Sequence, residues 1–133
     1  MPGSMTRLAS SSTSMKEGAI AAVTGTIRRH VSPGVDVLDL MSSWVSHLPT
    51  AADLPLGRVV GLGMNAEELK RNPRLAEWTV QDLNADPRLP YPDASFGAVL
   101  ITVSIQYLTR PDLVLRDVAR VLTPGGLLIV SFS

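Results

Sequence analysis

The chain contains no cysteine. That excludes disulfides, thiolate metal sites and a cysteine nucleophile, and it fits a reducing compartment such as the cytoplasm. Histidine is nearly missing as well: only His30 and His47 occur, which excludes a histidine-rich metal centre. Neither sign of charge is in excess, with 12 Lys and Arg against 12 Asp and Glu, and the basic residues are scattered. A neutral chain without a basic patch has no electrostatic footprint for nucleic acid or for an anionic membrane surface. No apolar run approaches the roughly 20 residues that a membrane-spanning helix requires.

What is present suits one domain: 133 residues, 45% of them hydrophobic. The opening segment MPGSMTRLASSSTS is rich in serine and threonine and has no acidic residue. It reads as a disordered tail over residues 1–15, with organelle import as the sharper alternative, and the domain then covers 16–133.

From Ser14 onward, apolar strands alternate with amphipathic stretches. Ser14 and Glu17 have capping-box spacing ahead of Ile20, Val23 and Ile27, which predicts a helix over 16–30, ended by Ser32-Pro33-Gly34. Val35–Leu40 is a first strand, and Ser43–Leu48 supplies one or two helical turns before Pro49. Arg58–Leu62 is a second strand. Asn65 caps a short helix that Asn72-Pro73 ends. Glu77–Asp82 is a third strand, Pro87–Ala94 a proline-rich loop and Phe96–Ile105 a fourth strand. Pro111 opens a helix over 111–122 whose stripe is Val114, Val118, Val121 and Leu122. Thr123-Pro124-Gly125-Gly126 breaks it, and Leu127–Phe132 is a fifth strand. This alternation predicts an α/β fold: an open parallel sheet covered on both faces.

Open parallel sheets bind ligands at the carboxyl ends of their strands, where strand order reverses. Asp39, Asn65 and Asp82 come from the ends of the first three strands and share that rim in the predicted sheet. His47, beside Leu48-Pro49, is expected to be structural.

Four segments carry a family resemblance: VDVLDL at 35–40, RVVGLGMN at 58–65, the stretch from Val80 to Leu108, and VLRDVARVLTPGGLLIVSFS at 114–133. Together they resemble class I S-adenosylmethionine-dependent methyltransferases of the type 11 group, in a glycine-poor branch. The resemblance implies a Rossmann-like sheet in the order 3-2-1-4-5, S-adenosylmethionine as cofactor, no metal, and methyl transfer to a small-molecule acceptor. It implies that Asp39 lies at the acidic end of the first strand. Ser42 and Ser43 would replace the glycine turn by capping the next helix with their N–H groups toward the cofactor carboxylate. Asn65, or Glu67 or Glu68 in its place, would serve the ribose. Asp82 would accept from the adenine amino group, and the N–H of Leu83 would reach a ring nitrogen. Tyr107 would stand near the methyl entrance.

The chain departs from the family pattern at specific positions. Met41, Ser43 and Val45 stand where the first turn has glycines, Gly63 where the second strand ends in an acid, and Gly97 where an aspartate often follows the phenylalanine of the fourth strand. These departures support an alternative: a non-catalytic Rossmann-like remnant or a protein-interaction module. The family fold also has a sixth and a seventh strand, which this sequence lacks, so it resembles a domain truncated after the fifth strand. The apolar edge at 127–132 is then expected to drive self-association.

Overall fold

A computed structural model describes residues 7–11, 24–41, 48–101 and 108–131. The elements in chain order are strand β1 (Arg7–Ser11), helix α1 (24–30), β2 (Val37–Leu40), β3 (Val59–Gly63), α2 (Ala66–Lys70), β4 (Glu77–Val80), β5 (Phe96–Ile101), α3 (Pro111–Val121) and β6 (Leu122–Ser131). They build one six-stranded sheet in the order β1-β6-β5-β2-β3-β4, and every neighbouring pair is parallel.

The central strands β2, β3 and β5 are short and apolar because both faces of the sheet are buried there. β2 and β3 are buried at every residue. Alternation along each strand sends neighbouring side chains to opposite faces. Leu38, Leu40, Val60, Leu62, Val99, Ile101 and Val130 pack with Val114, Val118 and Val121 of α3 on one face. Val37, Val59, Ala98, Leu100, Leu127 and Ile129 pack with Ile27 and Val31 on the other. Each fully buried Leu, Ile or Val contributes about 1.5–3 kcal/mol relative to exposure, so these two layers dominate the stability of the domain.

α3 follows its predicted stripe, with Pro111 in the first turn and Val114, Val118 and Val121 buried. At its end the backbone becomes extended at Leu122 (φ −76°, ψ 140°) and runs straight into β6. The Thr123–Gly126 turn is therefore not a break between elements. Phe96 pairs with Leu122 and Ala98 with Leu127, so the turn is an irregularity carried inside the strand. Gly125 has φ +76°, which glycine adopts without steric cost. The third strand is shorter than predicted and stops at Val80 because Asp82 opens a turn.

The N-terminal residues differ most from expectation. Arg7–Ser11 pair in parallel with β6, from Arg7 opposite Leu127 to Ser11 opposite Ser131. A segment of the predicted tail is thus a strand. The β6 edge, expected to be bare and to recruit a second chain, is occupied by the chain itself. The physical reason is that an apolar edge strand has a row of unpaired N–H and C=O groups, and any extended segment within reach satisfies them whatever its side chains. Residues 43–47 of the predicted helical turns, the part of the first helix before residue 24 and residues 102–105 of the predicted fourth strand lie outside the described residues.

Candidate functional site

β2 is central, with β3 on one side and β5 on the other. Chain order reverses there, which makes the carboxyl end of β2 the switch point of the sheet. Asp39 is the penultimate residue of β2, level with Gly61 of β3 and Leu100 of β5. It is only 2% exposed, so its carboxylate lies below the rim and not on it.

The next turn begins at Met41, whose φ of +58° is left-handed although it bears a side chain. This is the first of the positions where the resemblance implies glycine, and its left-handed backbone is one that glycine adopts without steric cost. The Met41 side chain packs against the core layer on the α3 side. Ser42, Ser43, Val45 and His47 lie outside the described residues, as does Tyr107.

β3 ends at Gly63, which offers no side chain to a ligand, and Met64 follows at 66% exposure. Asn65 is the N-cap of α2. Its Oδ1 accepts from the N–H groups of Glu67 and Glu68, at 3.0 and 3.2 Å. The acceptor that a ribose hydroxyl would need is thus engaged by the helix. Glu67 lies 3.6 Å from Lys70 at the surface, and Glu68 is half-buried in the first turn.

The segment after β4 is tied by several side-chain hydrogen bonds. Gln81 donates from Nε2 to the carbonyls of Asp86 (3.0 Å) and Arg88 (2.7 Å), closing the loop across its base. Asp82 is exposed, and its Oδ1 accepts from the N–H of Asn84 at 2.9 Å. Leu83 buries its side chain in the core at 5% exposure. Its N–H takes no backbone acceptor among the described residues. Asn84 in turn accepts at Oδ1 from the N–H (2.9 Å) and the hydroxyl (3.3 Å) of Thr109, just before α3.

The loop is also held from α3. Arg120 forks onto Asp117, Nε to Oδ1 at 2.8 Å and Nη2 to Oδ2 at 3.0 Å. The same guanidinium donates to the carbonyls of Leu89 (2.9 Å) and Tyr91 (2.8 Å) and to Asp93 (2.8 Å). Asp117 also accepts the N–H of Leu89. The Arg120 fork, with the Leu89 N–H, holds the Asp117 carboxyl below its ordinary range against the opposing effect of burial, and the two aspartates hold Arg120 more firmly protonated. Tyr91 stacks edge-on against Phe96 at 5.2 Å. Burial raises its pKa, while a hydrogen bond to Thr79 pulls the other way. None of these loop clamps is legible as a motif except Asp117 and Arg120, whose spacing of three places them on one helix face.

Gly97 explains its own departure from the family. A Cβ there would stand 2.5 Å from Cγ1 of Val35. Val35, two residues ahead of β2, occupies the space that an aspartate would need.

The ends of β3 and β4 therefore bring Asn65 and Asp82-Leu83 to one rim of a parallel sheet, with Asp39 buried beneath it at the end of β2. The Asp82-Leu83 turn carries an exposed carboxylate beside a backbone N–H that takes no backbone acceptor among the described residues. The Gly63 position does not supply the expected ribose acceptor. Among the described residues, no group of three or more His, Cys, Asp or Glu could hold a metal ion, and no helix is long and apolar enough to cross a membrane.

Residues 38–130 match the family described as "Methyltransferase domain". The chain is 36% identical over 112 residues to the ubiquinone/menaquinone biosynthesis C-methyltransferase UbiE of Ectopseudomonas mendocina, covering 77% of this chain and 44% of that protein. It is 39% identical over 87 residues to UbiE of Hahella chejuensis, covering 59% and 34%. Among solved structures, the [4+2]-cyclase SpnF superposes with a TM-score of 0.70 at 23% identity, over 88% of this chain and 46% of that one. The fold and the matched segment define a class I methyltransferase fold. This chain belongs to the S-adenosylmethionine-dependent methyltransferase family. It spans less than half the length of the UbiE proteins it matches.

Proposed function

We propose that the chain binds S-adenosylmethionine along the rim formed by the ends of β2, β3 and β4 and transfers its methyl group to a small-molecule acceptor. The observation that supports this best is the Asp82-Leu83 turn. A side-chain anchor in the core and two hydrogen-bonded ties hold an acceptor and a donor side by side at a strand end. In this assignment Asp82 and the Leu83 N–H bind the adenine, and Glu68 serves the ribose in place of Asn65. Asp39 sets the floor of the site, and Ser42 and Ser43, outside the described residues, are assigned to the cofactor carboxylate.

The bound cofactor supplies a sulfonium methyl that is already reactive. The protein's share is to align acceptor and methyl and to exclude water. That share needs no nucleophile and no acid–base pair, and none stands among the assigned residues.

The matched UbiE proteins are named for C-methylation in ubiquinone and menaquinone biosynthesis. Intermediates of that biosynthesis are therefore the first acceptors to test. Incubating the purified chain with methyl-labelled S-adenosylmethionine and such acceptors is expected to yield labelled product. Cofactor binding without transfer to any acceptor favours the second reading, a non-catalytic remnant. That reading has its own support in the side-chain-free ribose position at Gly63 and in Met41 at the first glycine position.

A further inference from the structure

We infer that Asn84 is a positioning residue: it aims the Asp82 carboxylate and the Leu83 N–H by tying their turn to Thr109, just before α3. The inference rests on the adenine assignment just proposed and adds to it the residue that makes the turn rigid.

Asn84 has two jobs in one residue. Its backbone N–H donates to Oδ1 of Asp82 at 2.9 Å, which restricts the rotation of that exposed carboxylate. Its side-chain Oδ1 accepts from both the N–H and the hydroxyl of Thr109, at 2.9 and 3.3 Å. The 83–84 peptide therefore lies between two fixed points: the Leu83 side chain buried in the core and the Asn84 side chain held at Thr109. Thr109 immediately follows the buried Leu108 and precedes Arg110, the N-cap of α3, so this second point is itself anchored. Asn84 is exposed and 25 residues from Thr109, so the contact does not belong to a local turn or to the core. Its geometric effect falls on the two groups assigned to the adenine.

An isolated carboxylate attracts any donor, whereas an aimed carboxylate beside an aimed N–H tells adenine from hypoxanthine. Replacing the 6-amino group by a 6-oxo group reverses both hydrogen bonds, and a site built on paired polar groups rejects such an analogue strongly. A residue that positions this pair is thus detected by base discrimination, not by affinity alone.

The test is calorimetric titration of the purified chain with S-adenosylhomocysteine and with S-inosylhomocysteine, followed by Asn84→Ala, Asn84→Asp and Thr109→Val. The wild-type chain should prefer the adenosyl compound. Asn84→Ala should lower that preference by about three- to tenfold, the size of one or two exposed hydrogen bonds. Asn84→Asp keeps an acceptor for Thr109 and should restore most of it. Thr109→Val removes only the hydroxyl and should lower it less; it carries the test if Asn84→Ala does not fold. Equal weakening of both ligands in Asn84→Ala, with the preference intact, overturns the positioning role and leaves the adenine assignment standing. Binding of neither ligand by the wild-type chain overturns the cofactor assignment and the inference with it.

Discussion

Arg120 and Asp117 lie three residues apart on α3 and form a two-point fork, Nε to Oδ1 at 2.8 Å and Nη2 to Oδ2 at 3.0 Å. The remaining donors of the guanidinium hold the carbonyls of Leu89 and Tyr91, so one side chain joins α3 to the loop between β4 and β5. Removing it leaves a half-buried carboxylate and two carbonyls without their donor. Arg120→Ala is expected to destabilise the fold by about 2–3 kcal/mol in urea unfolding. Arg120→Lys, a point charge without the fork, should recover less than half of that.

The same fork sets an acid limit. Asp117 titrates below its ordinary value of 3.8 in the folded chain, because Arg120 stabilises the charged form. A carboxyl depressed by folding adds stability that is fully present above its unfolded pKa and is lost as pH falls through the folded value. Stability should therefore decline below about pH 4, and Asp117→Asn should flatten that part of the decline. An unchanged acid limb in Asp117→Asn would show that other carboxyls dominate it.

Met41 carries two opposed terms. Its side chain packs against the core, and its φ of +58° strains any residue with a Cβ. Met41→Ala loses the packing and keeps the strain; about 1–2 kcal/mol of destabilisation is expected. Met41→Gly loses the same packing but relieves the strain, and should be more stable than the alanine variant by up to about 1 kcal/mol. Neither change should tighten S-adenosylhomocysteine binding. Tighter binding in the glycine variant would place Met41 in the pocket and favour the non-catalytic reading.

Gly97 is expected to tolerate nothing larger. With a new Cβ 2.5 Å from Cγ1 of Val35, Gly97→Ala should cost about 1–3 kcal/mol. Val35→Ala in the same chain should return part of that cost, because it removes the atoms in the way. Additive losses in the double variant would argue against the contact.

β1 protects the apolar edge of β6. Deleting residues 1–11 should expose that edge and convert a monodisperse chain into one that self-associates, as read by light scattering. In the full chain, amides at 127–131 should exchange slowly; fast exchange there would contradict the pairing.

The central layers were legible because period-two apolar runs and the 114, 118, 121 stripe encode burial on a sheet face and on one helix face. The order of five strands followed from the family pattern. Asp39, Asn65 and Asp82 were legible as strand-end polar groups, but their surroundings were not. Nothing local in the sequence says that Asn65 spends its acceptor on its own helix, or that Asp39 lies below the rim. Asn84 and Thr109 are 25 residues apart, and their contact exists only once β4 and α3 are placed. β1 escaped notice because an edge is paired through backbone groups, which every residue type except proline supplies in full, so RLASS needs no strand pattern to serve.

The central claim is that the end of β4 recognises adenine. It is tested most directly by calorimetric titration of S-adenosylhomocysteine into the wild-type chain, Asp82→Ala and His47→Ala. Asp82→Ala leaves the adenine amino group without its acceptor and should weaken binding by about 1–3 kcal/mol, while His47→Ala should change it little. A wild-type chain that does not bind, a binding constant unmoved by Asp82→Ala, or equal losses at the two positions would contradict the account.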